Sequence, residues 1–284
     1  MLTRRQVLLA GGALVVAGAG VVVVEADDPR MRRLLHRVGL ADSPDHTVPD
    51  AHVPTQHGTV DSANMPHAVA WTIALPAATV RGVVYCLHGR GNDHREAFRD
   101  MHLPDVVAAA GLPLAVAAVD GGSDSYWHAR SDGSDPMTML LEEFIPLVEQ
   151  RLGASPPRAV LGWSMGGYGA LLAAERAPDL FAAAVASSPA LWTAPGDTPA
   201  IAFDGASDYH RNDVFAGIDR LAPLVVRVDC GTDDSFYDAA RTFASQLPHP
   251  NPGSFGDGFH DAAYWRSVAP AQIATIGSAL LTGG

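Results

Sequence analysis

Ser164 stands between glycines two residues to either side, in Gly162-Trp163-Ser164-Met165-Gly166. A serine so placed can be an acyl-transfer nucleophile if a strand runs into it and a helix leaves it. The sharp turn then lifts its oxygen clear, and the glycines admit a backbone conformation that side chains would block. Both flanks are present: the apolar run Ala159-Val160-Leu161 precedes the serine and a small-residue stretch follows it. With 28 glycines in the chain, the pattern arises by chance too readily to stand alone. Its weight comes from companions, because the hydroxyl needs a base, the base an orienting acid, and the developing oxyanion a pair of donors.

The companions follow in chain order. Upstream, Val83 to Leu87 runs into His88-Gly89-Arg90-Gly91, a glycine-bracketed turn able to supply an oxyanion amide. Downstream, Leu224 to Asp229 leads to Cys230-Gly231-Thr232-Asp233-Asp234, which presents a carboxylate at a strand's C-terminal edge. Asp234 is the first choice for the acid and Asp233 the second, since an acidic residue opening a helix can simply complement its dipole. His260, one of twelve histidines, lies in Gly258-Phe259-His260-Asp261, after the acid and before the closing helix. In this reading His260 takes the Ser164 proton as the hydroxyl attacks an acyl carbonyl, and Asp234 fixes the imidazole tautomer. Water or an alcohol then resolves the acyl-enzyme.

Leu87-His88-Gly89, Gly162 to Ala170, Ser188-Pro189-Ala190-Leu191-Trp192, Gly231 to Asp234 and Phe259 to Trp265 together resemble the esterase D-type branch of the α/β-hydrolases. That branch includes S-formylglutathione hydrolases, feruloyl esterases and secreted mycolyltransferases. The resemblance covers roughly residues 68 to 281. It implies an α/β fold with a mostly parallel central sheet and helices on both faces, and no cofactor. It also implies Ser164 as nucleophile, His260 as base and acid, Asp234 as orienting acid, and the amides of Arg90 and Met165 as the oxyanion hole. The mycolyltransferases carry a glutamate as acid, so the Gly-x-x-Asp here favours an esterase, with an acyltransferase as the alternative. Members of the branch usually have a clear strand before the histidine. Here Leu247 to Gly256 holds three prolines, which predicts that strand to be short or missing.

The elements that must position these residues are legible as apolar runs. Strands are expected near Ala68 to Leu75, Gly82 to Leu87, Leu114 to Val119, Ala159 to Gly162, Ala182 to Ala186 and Leu224 to Asp229. Helices are expected near Met137 to Leu152, Gly166 to Arg176, Phe236 to Gln246 and Tyr264 to Leu281, with Pro146 bending the first and Pro270 bending or splitting the last. The segment Asp120 to His128 leaves a strand end on the catalytic side. Its Trp127 and His128 are candidates to line a substrate site, the alternative being that the loop's aromatics pack it against the body. Leu191 to Arg220 is an insertion large enough for a small lid. Cys86 and Cys230 fall on strands too far apart to pair, which predicts two free, buried thiols.

Composition sets the outer bounds. A 284-residue chain that is 48% hydrophobic and 18% charged fits one large globular unit. A net charge of −12 argues against a nucleic-acid partner, and the resemblance implies a small-molecule or lipid ester as the expected one. All 19 basic residues are arginine. Arg30, Arg32, Arg33 and Arg37 form the one basic cluster downstream of the leader and read as a solvated or headgroup-facing helix. Before it, Arg4-Arg5 precedes an uncharged run from Val7 to Val24, the pattern of a twin-arginine export signal. At about 18 residues the run is also long enough to act as an uncleaved membrane anchor. The resulting division is 1–26 signal or anchor, 27–67 arm, and 68–284 catalytic domain, exported to the envelope or beyond. His46, His52, His57 and His67 match no zinc spacing, so no metal is expected. A non-catalytic hydrolase-fold envelope or binding protein is the remaining alternative, disfavoured by the intact triad.

Overall fold

The near-continuous apolar runs become the interior of a seven-stranded sheet. The computed structural model describes residues 28–47 and 50–281, and the backbone alone of 13–17 and 20–24. Strands β1 (Ala13–Ala17) and β2 (Gly20–Val24) pair antiparallel with each other, and the rest of residues 1–26, where the sequence predicts an export signal or anchor, lies outside the described residues. Among the described residues no helix is long and apolar enough to cross a membrane. Helix α1 (Pro29–Arg37) opens at Asp28, whose carboxylate caps the Arg30 amide at 2.8 Å.

The main sheet takes β3 (Thr55–Val60), β4 (Val69–Ala74), β5 (Gly82–Leu87), β6 (Leu114–Val119), β7 (Arg158–Trp163), β8 (Ala183–Ser187) and β9 (Val225–Asp229) in the order β3-β4-β6-β5-β7-β8-β9. From β6 to β9 neighbours run parallel, while β3 and β4 add antiparallel at one edge. All six residues of β5 are buried. Val83, Tyr85 and Leu87 enter one core and Val84 and Cys86 the other, the two-residue period of a strand covered on both faces. Helices α2 (Leu103–Ala109) and α8 (Ala262–Leu281) cover the Cys86 face. The Tyr85 face carries α3 (Pro136–Thr138), α4 (Ile145–Leu152), α5 (Met165–Arg176) and α7 (Tyr237–Gln246), with α6 (Ala206–Arg211) in the insertion.

The six expected strands stand where the apolar runs placed them. The expected helix over Met137 to Leu152 is interrupted: a π-helical stretch over Met139–Phe144 separates α3 from α4, and Pro146 sits in the first turn of α4. A proline lacks the N–H that would continue the ladder, so the register changes just before it. Pro270 does not split α8, which runs unbroken from Ala262 to Leu281 with Tyr264, Val268, Ile273 and Ile276 buried. Tertiary packing carries the helix across the missing bond.

The sheet begins earlier than the sequence suggested. The arm contributes β3, in which Thr55, Gln56 and His57 are exposed. An edge strand on the solvent side needs few apolar residues, so hydrophobic periodicity could not mark it. At the other edge, no strand forms over 247–256, as the prolines predicted. Instead the Asn251 side chain stands in for one: Oδ1 accepts from the Val228 amide and Nδ2 donates to the Val228 carbonyl, both at 2.9 Å. Cys86 on β5 and Cys230 beyond β9 are free and buried, with β7 and β8 between their strands.

Candidate active site

The turn between β7 and α5 puts Ser164 at φ 53°, ψ −115°, a region that L-residues rarely occupy. Close packing holds it there. A Cβ on Gly166 would lie 1.9 Å from the Leu87 carbonyl oxygen, and one on Gly162 would lie 2.1 Å from the Gly166 oxygen. Only glycine allows the start of α5 to come this close to β5 and β7. The Ser164 amide donates to Ser187 O at 3.0 Å, and its carbonyl accepts from Tyr168 and Ala190, also at 3.0 Å. The elbow is thus tied to the adjacent strand end, to its own helix and to the segment after β8.

The loops after β9 and before α8 bring the other two groups to it. His260 Nε2 lies 2.8 Å from Ser164 Oγ, and His260 Nδ1 lies 2.8 Å from Asp234 Oδ2. An ionised carboxylate only accepts, so Nδ1 carries the proton and Nε2 is free to accept from the serine. The Asp234 side chain is fully buried. Burial opposes its charge, yet the hydrogen bond and charge of His260, with the Phe236 amide at 2.9 Å from Oδ1, hold its pKa below the ordinary carboxylate value. Asp233 points elsewhere, pairing with Arg32 at 3.0 Å. The carboxylate that meets the imidazole is therefore that of Asp234.

The turn after β5 lies beside the elbow, because Leu87 is opposite Gly162 in the parallel register. Several buried groups fix it. His88 Nε2 accepts from the Gly121 amide at 2.9 Å, so its Nδ1–H donates to Gly89 O at 2.9 Å. Burial lowers the His88 pKa, in keeping with this neutral form. The Trp127 indole donates to His88 O at 3.2 Å, and the Gly91 amide donates to Ser123 O at 2.8 Å. These bonds brace the turn on both sides of Arg90, whose side chain is half-exposed near Asp124. Met165 opens α5, where first-turn amides have no intrahelical partner.

Two sequence candidates are placed differently. Trp127 and His128 do not line the site: both are fully buried. Tyr126 and Trp127 adopt φ values of 52° and 57°, which turn the loop back under itself. The indole then packs beneath the His88 turn against Gly121 and Gly169, and the His128 ring stacks on Phe203 with Nε2 3.0 Å from Ala202 O. The half-buried aromatics beside Ser164 and His260 are instead Phe236, 5.3 Å from the His260 ring, and Trp192, 5.4 Å from Phe236. Buried Tyr126 lies 5.7 Å behind Trp192. The basic cluster is not uniformly solvated either, since Arg32 and Arg33 face the acid loop. Asp93, His94 and Asp120 are the one acidic and histidine group, among the described residues, whose ligand atoms converge, and His94 already lies 3.5 Å from the Asp120 carboxylate.

Sequence reasoning also missed Glu96. Its buried carboxylate accepts from the Gly89 amide and from Asn92 Nδ2, each at 2.6 Å. Burial, aided by the nearby Asp100, outweighs these bonds and pushes its pKa up to about 7. An acid whose folded pKa is raised contributes stability at low pH that is lost as pH rises through the folded value. Between about pH 5.5 and about pH 8 the protein is therefore expected to lose about 2 kcal/mol from this group, a slope absent in Glu96→Gln. Urea unfolding of both proteins at the two pH values checks this, and equal slopes would refute it.

The Esterase family, described as "Putative esterase", matches residues 62–271. No curated protein sequence matches the chain. Among solved structures, a ferulic acid esterase is similar with a TM-score of 0.68 at 24% identity, over 80% of this chain and 98% of that one. An S-formylglutathione hydrolase from Staphylococcus aureus gives a TM-score of 0.66 at 19% identity, over 80% and 100%. MPT51 from Mycobacterium tuberculosis gives 0.63 at 20% identity, over 80% and 99%. These likenesses establish the α/β-hydrolase fold. The family match spans the sheet from β4 to β9 and every residue of the Ser164, His260 and Asp234 constellation, and the chain belongs to the Esterase family as a carboxylic ester hydrolase.

Proposed function

We propose that the protein is an exported serine esterase that cleaves acyl esters through a Ser164-His260-Asp234 triad and an acyl-enzyme. The observation that carries this reading is the unbroken chain from Asp234 through His260 to Ser164, 2.8 Å at each link, at the head of a strained elbow. Ser164 Oγ attacks the ester carbonyl carbon while its proton passes to His260 Nε2, and the imidazolium gains the buried Asp234 charge. The tetrahedral oxyanion takes the Met165 and Arg90 amides, each donor contributing about 3 to 4 kcal/mol. The C–O bond to the alcohol breaks as His260 returns the proton to the leaving oxygen. Water then repeats the sequence on the acyl-enzyme, releasing the acid and restoring Ser164.

The substrate is a small-molecule or lipid ester whose acyl part rests against Trp192 and Phe236. An alcohol in place of water would make the same acyl-enzyme a transferase of the mycolyl type; the aspartate as third member favours water. Export is supported by Arg4-Arg5 ahead of the Val7 to Val24 run, which also offers a membrane anchor.

Fluorophosphonate labelling read by intact mass tests the nucleophile. One adduct on the wild type and none on Ser164→Ala is expected, and a chain-length series of nitrophenyl esters then sizes the acyl site. A folded wild type that takes no label would return the protein to the non-catalytic reading.

A further inference from the structure

The acid and base of the triad sit on two loops outside the sheet, 230–236 and 247–261. They are bonded to each other, Thr232 N to Gly256 O at 2.8 Å and Asp233 N to Gly258 O at 3.0 Å. The arm grips both from outside. Arg33 donates to the carbonyls of Asp233 and Asp234, each at 3.4 Å, and Arg32 pairs with the Asp233 carboxylate and lies 6.0 Å over the Phe259 ring. His36 stacks on Phe259 at 4.1 Å with the rings 4° from parallel, and its Nε2 is 3.1 Å from Asp261. Beyond the helix, the Ser43 hydroxyl donates to Asp261 Oδ2 at 2.8 Å and accepts the Phe259 amide at 2.9 Å. Asp45 then ties the arm to Arg266 of α8 at 2.7 Å.

We propose that residues 28–45 are a clamp in which Arg32, Arg33, His36 and Ser43 hold the Asp234 and His260 loops in register, making the arm a positioning element of the triad. This rests on the esterase reading and goes beyond the family, whose match begins at residue 62. Phe259 is the residue before His260. With its amide held by Ser43 and its ring under His36, the peptide leading to the imidazole is fixed from the arm side. On the acid side, Arg33 bridges two successive carbonyls and sets the peptide planes that follow Asp233 and Asp234. Arg32 supplies a cation to Asp233, a second buried carboxylate next to the triad acid.

The arm helix adds little to the core, since none of its residues is buried. The contacts of Arg32, Arg33 and His36 end on Asp234 and on the neighbours of the acid and base. Losing them should therefore lower turnover before it lowers stability.

The test uses the full chain as Ser43→Ala, Ser43→Thr and the double exchange Arg32→Ala/Arg33→Ala. The readouts are kcat and KM on nitrophenyl acetate, the rate of fluorophosphonate labelling, and the melting temperature. Because a misplacement of about 1 Å near the chemistry can cost about a hundredfold, Ser43→Ala is expected to lose about tenfold in kcat and labelling rate, and the double exchange more. KM and melting temperature should hardly move, and Ser43→Thr, which keeps the hydroxyl, should stay within about twofold of wild type. Unchanged kcat, a loss that appears only with a collapsed melting transition, or Ser43→Thr as impaired as Ser43→Ala would each overturn the clamp. Full-rate labelling of the arm variants beside a Ser164-dependent wild type removes the clamp alone. A wild type that takes no label removes the esterase reading and the clamp with it.

Discussion

Ser164→Ala and His260→Ala are each expected to cut ester turnover by about 10⁵- to 10⁶-fold, and the double exchange to cut it no further. Ser164 Oγ and His260 Nε2 share one proton across 2.8 Å, so the attack fails if either partner is gone. A residual rate above water should survive in all three variants, because the amides of the elbow and of the His88 turn remain in place. Steady-state kinetics on an activated ester measures this directly. Additive losses in the double exchange would mean that the two groups act separately and that their proximity is not the source of catalysis.

The second large effect is expected at Asp234→Asn, which should lower kcat by about 10⁴-fold while leaving KM little changed. The amide would fit the same buried space, but its NH₂ can donate to His260 Nδ1. That places the imidazole proton on Nε2, facing Ser164 Oγ, where an acceptor is required. Asp233→Asn touches the arm rather than the imidazole and should retain orders of magnitude more activity. Equal losses at the two positions would refute the assignment of Asp234. Because the Asp234 pKa is held low in the fold, its contribution to stability is present above the ordinary carboxylate range and fades as pH falls through that lowered value.

Much of this was legible because it rests on local chemistry. The elbow announces itself through two glycines that steric contact makes obligatory, and five parallel strands through runs that only burial on both faces would select. What escaped reading depends on partners far away in sequence. Nothing near Arg33 says that it will meet Asp234, some two hundred residues on, and a cluster of arginines after an apolar run looks solvated until the loops are folded. Trp127 and His128 misled for a different reason. Their place after a strand end was right, but two consecutive positive φ values turned them inward, and no residue type there signals that. Glu96 was hidden because a carboxylate seven residues from a turn declares no interest in it.

The amide of Asn251 has a consequence for how the molecule meets its own copies. An exposed strand edge is an invitation for another chain to add to the sheet. At β9 the Val228 N–H and C=O are already occupied by one side chain, within a segment where Pro248, Pro250 and Pro252 withhold donors of their own. The far edge, β3, presents polar side chains at its start instead of an apolar ribbon. The β9 end of the seven-stranded sheet is thereby blunted, with Asn251 holding Val228 and the Ser254 carbonyl holding the Cys230 amide at 3.0 Å, and crowding of the protein should not be resolved by strand addition there.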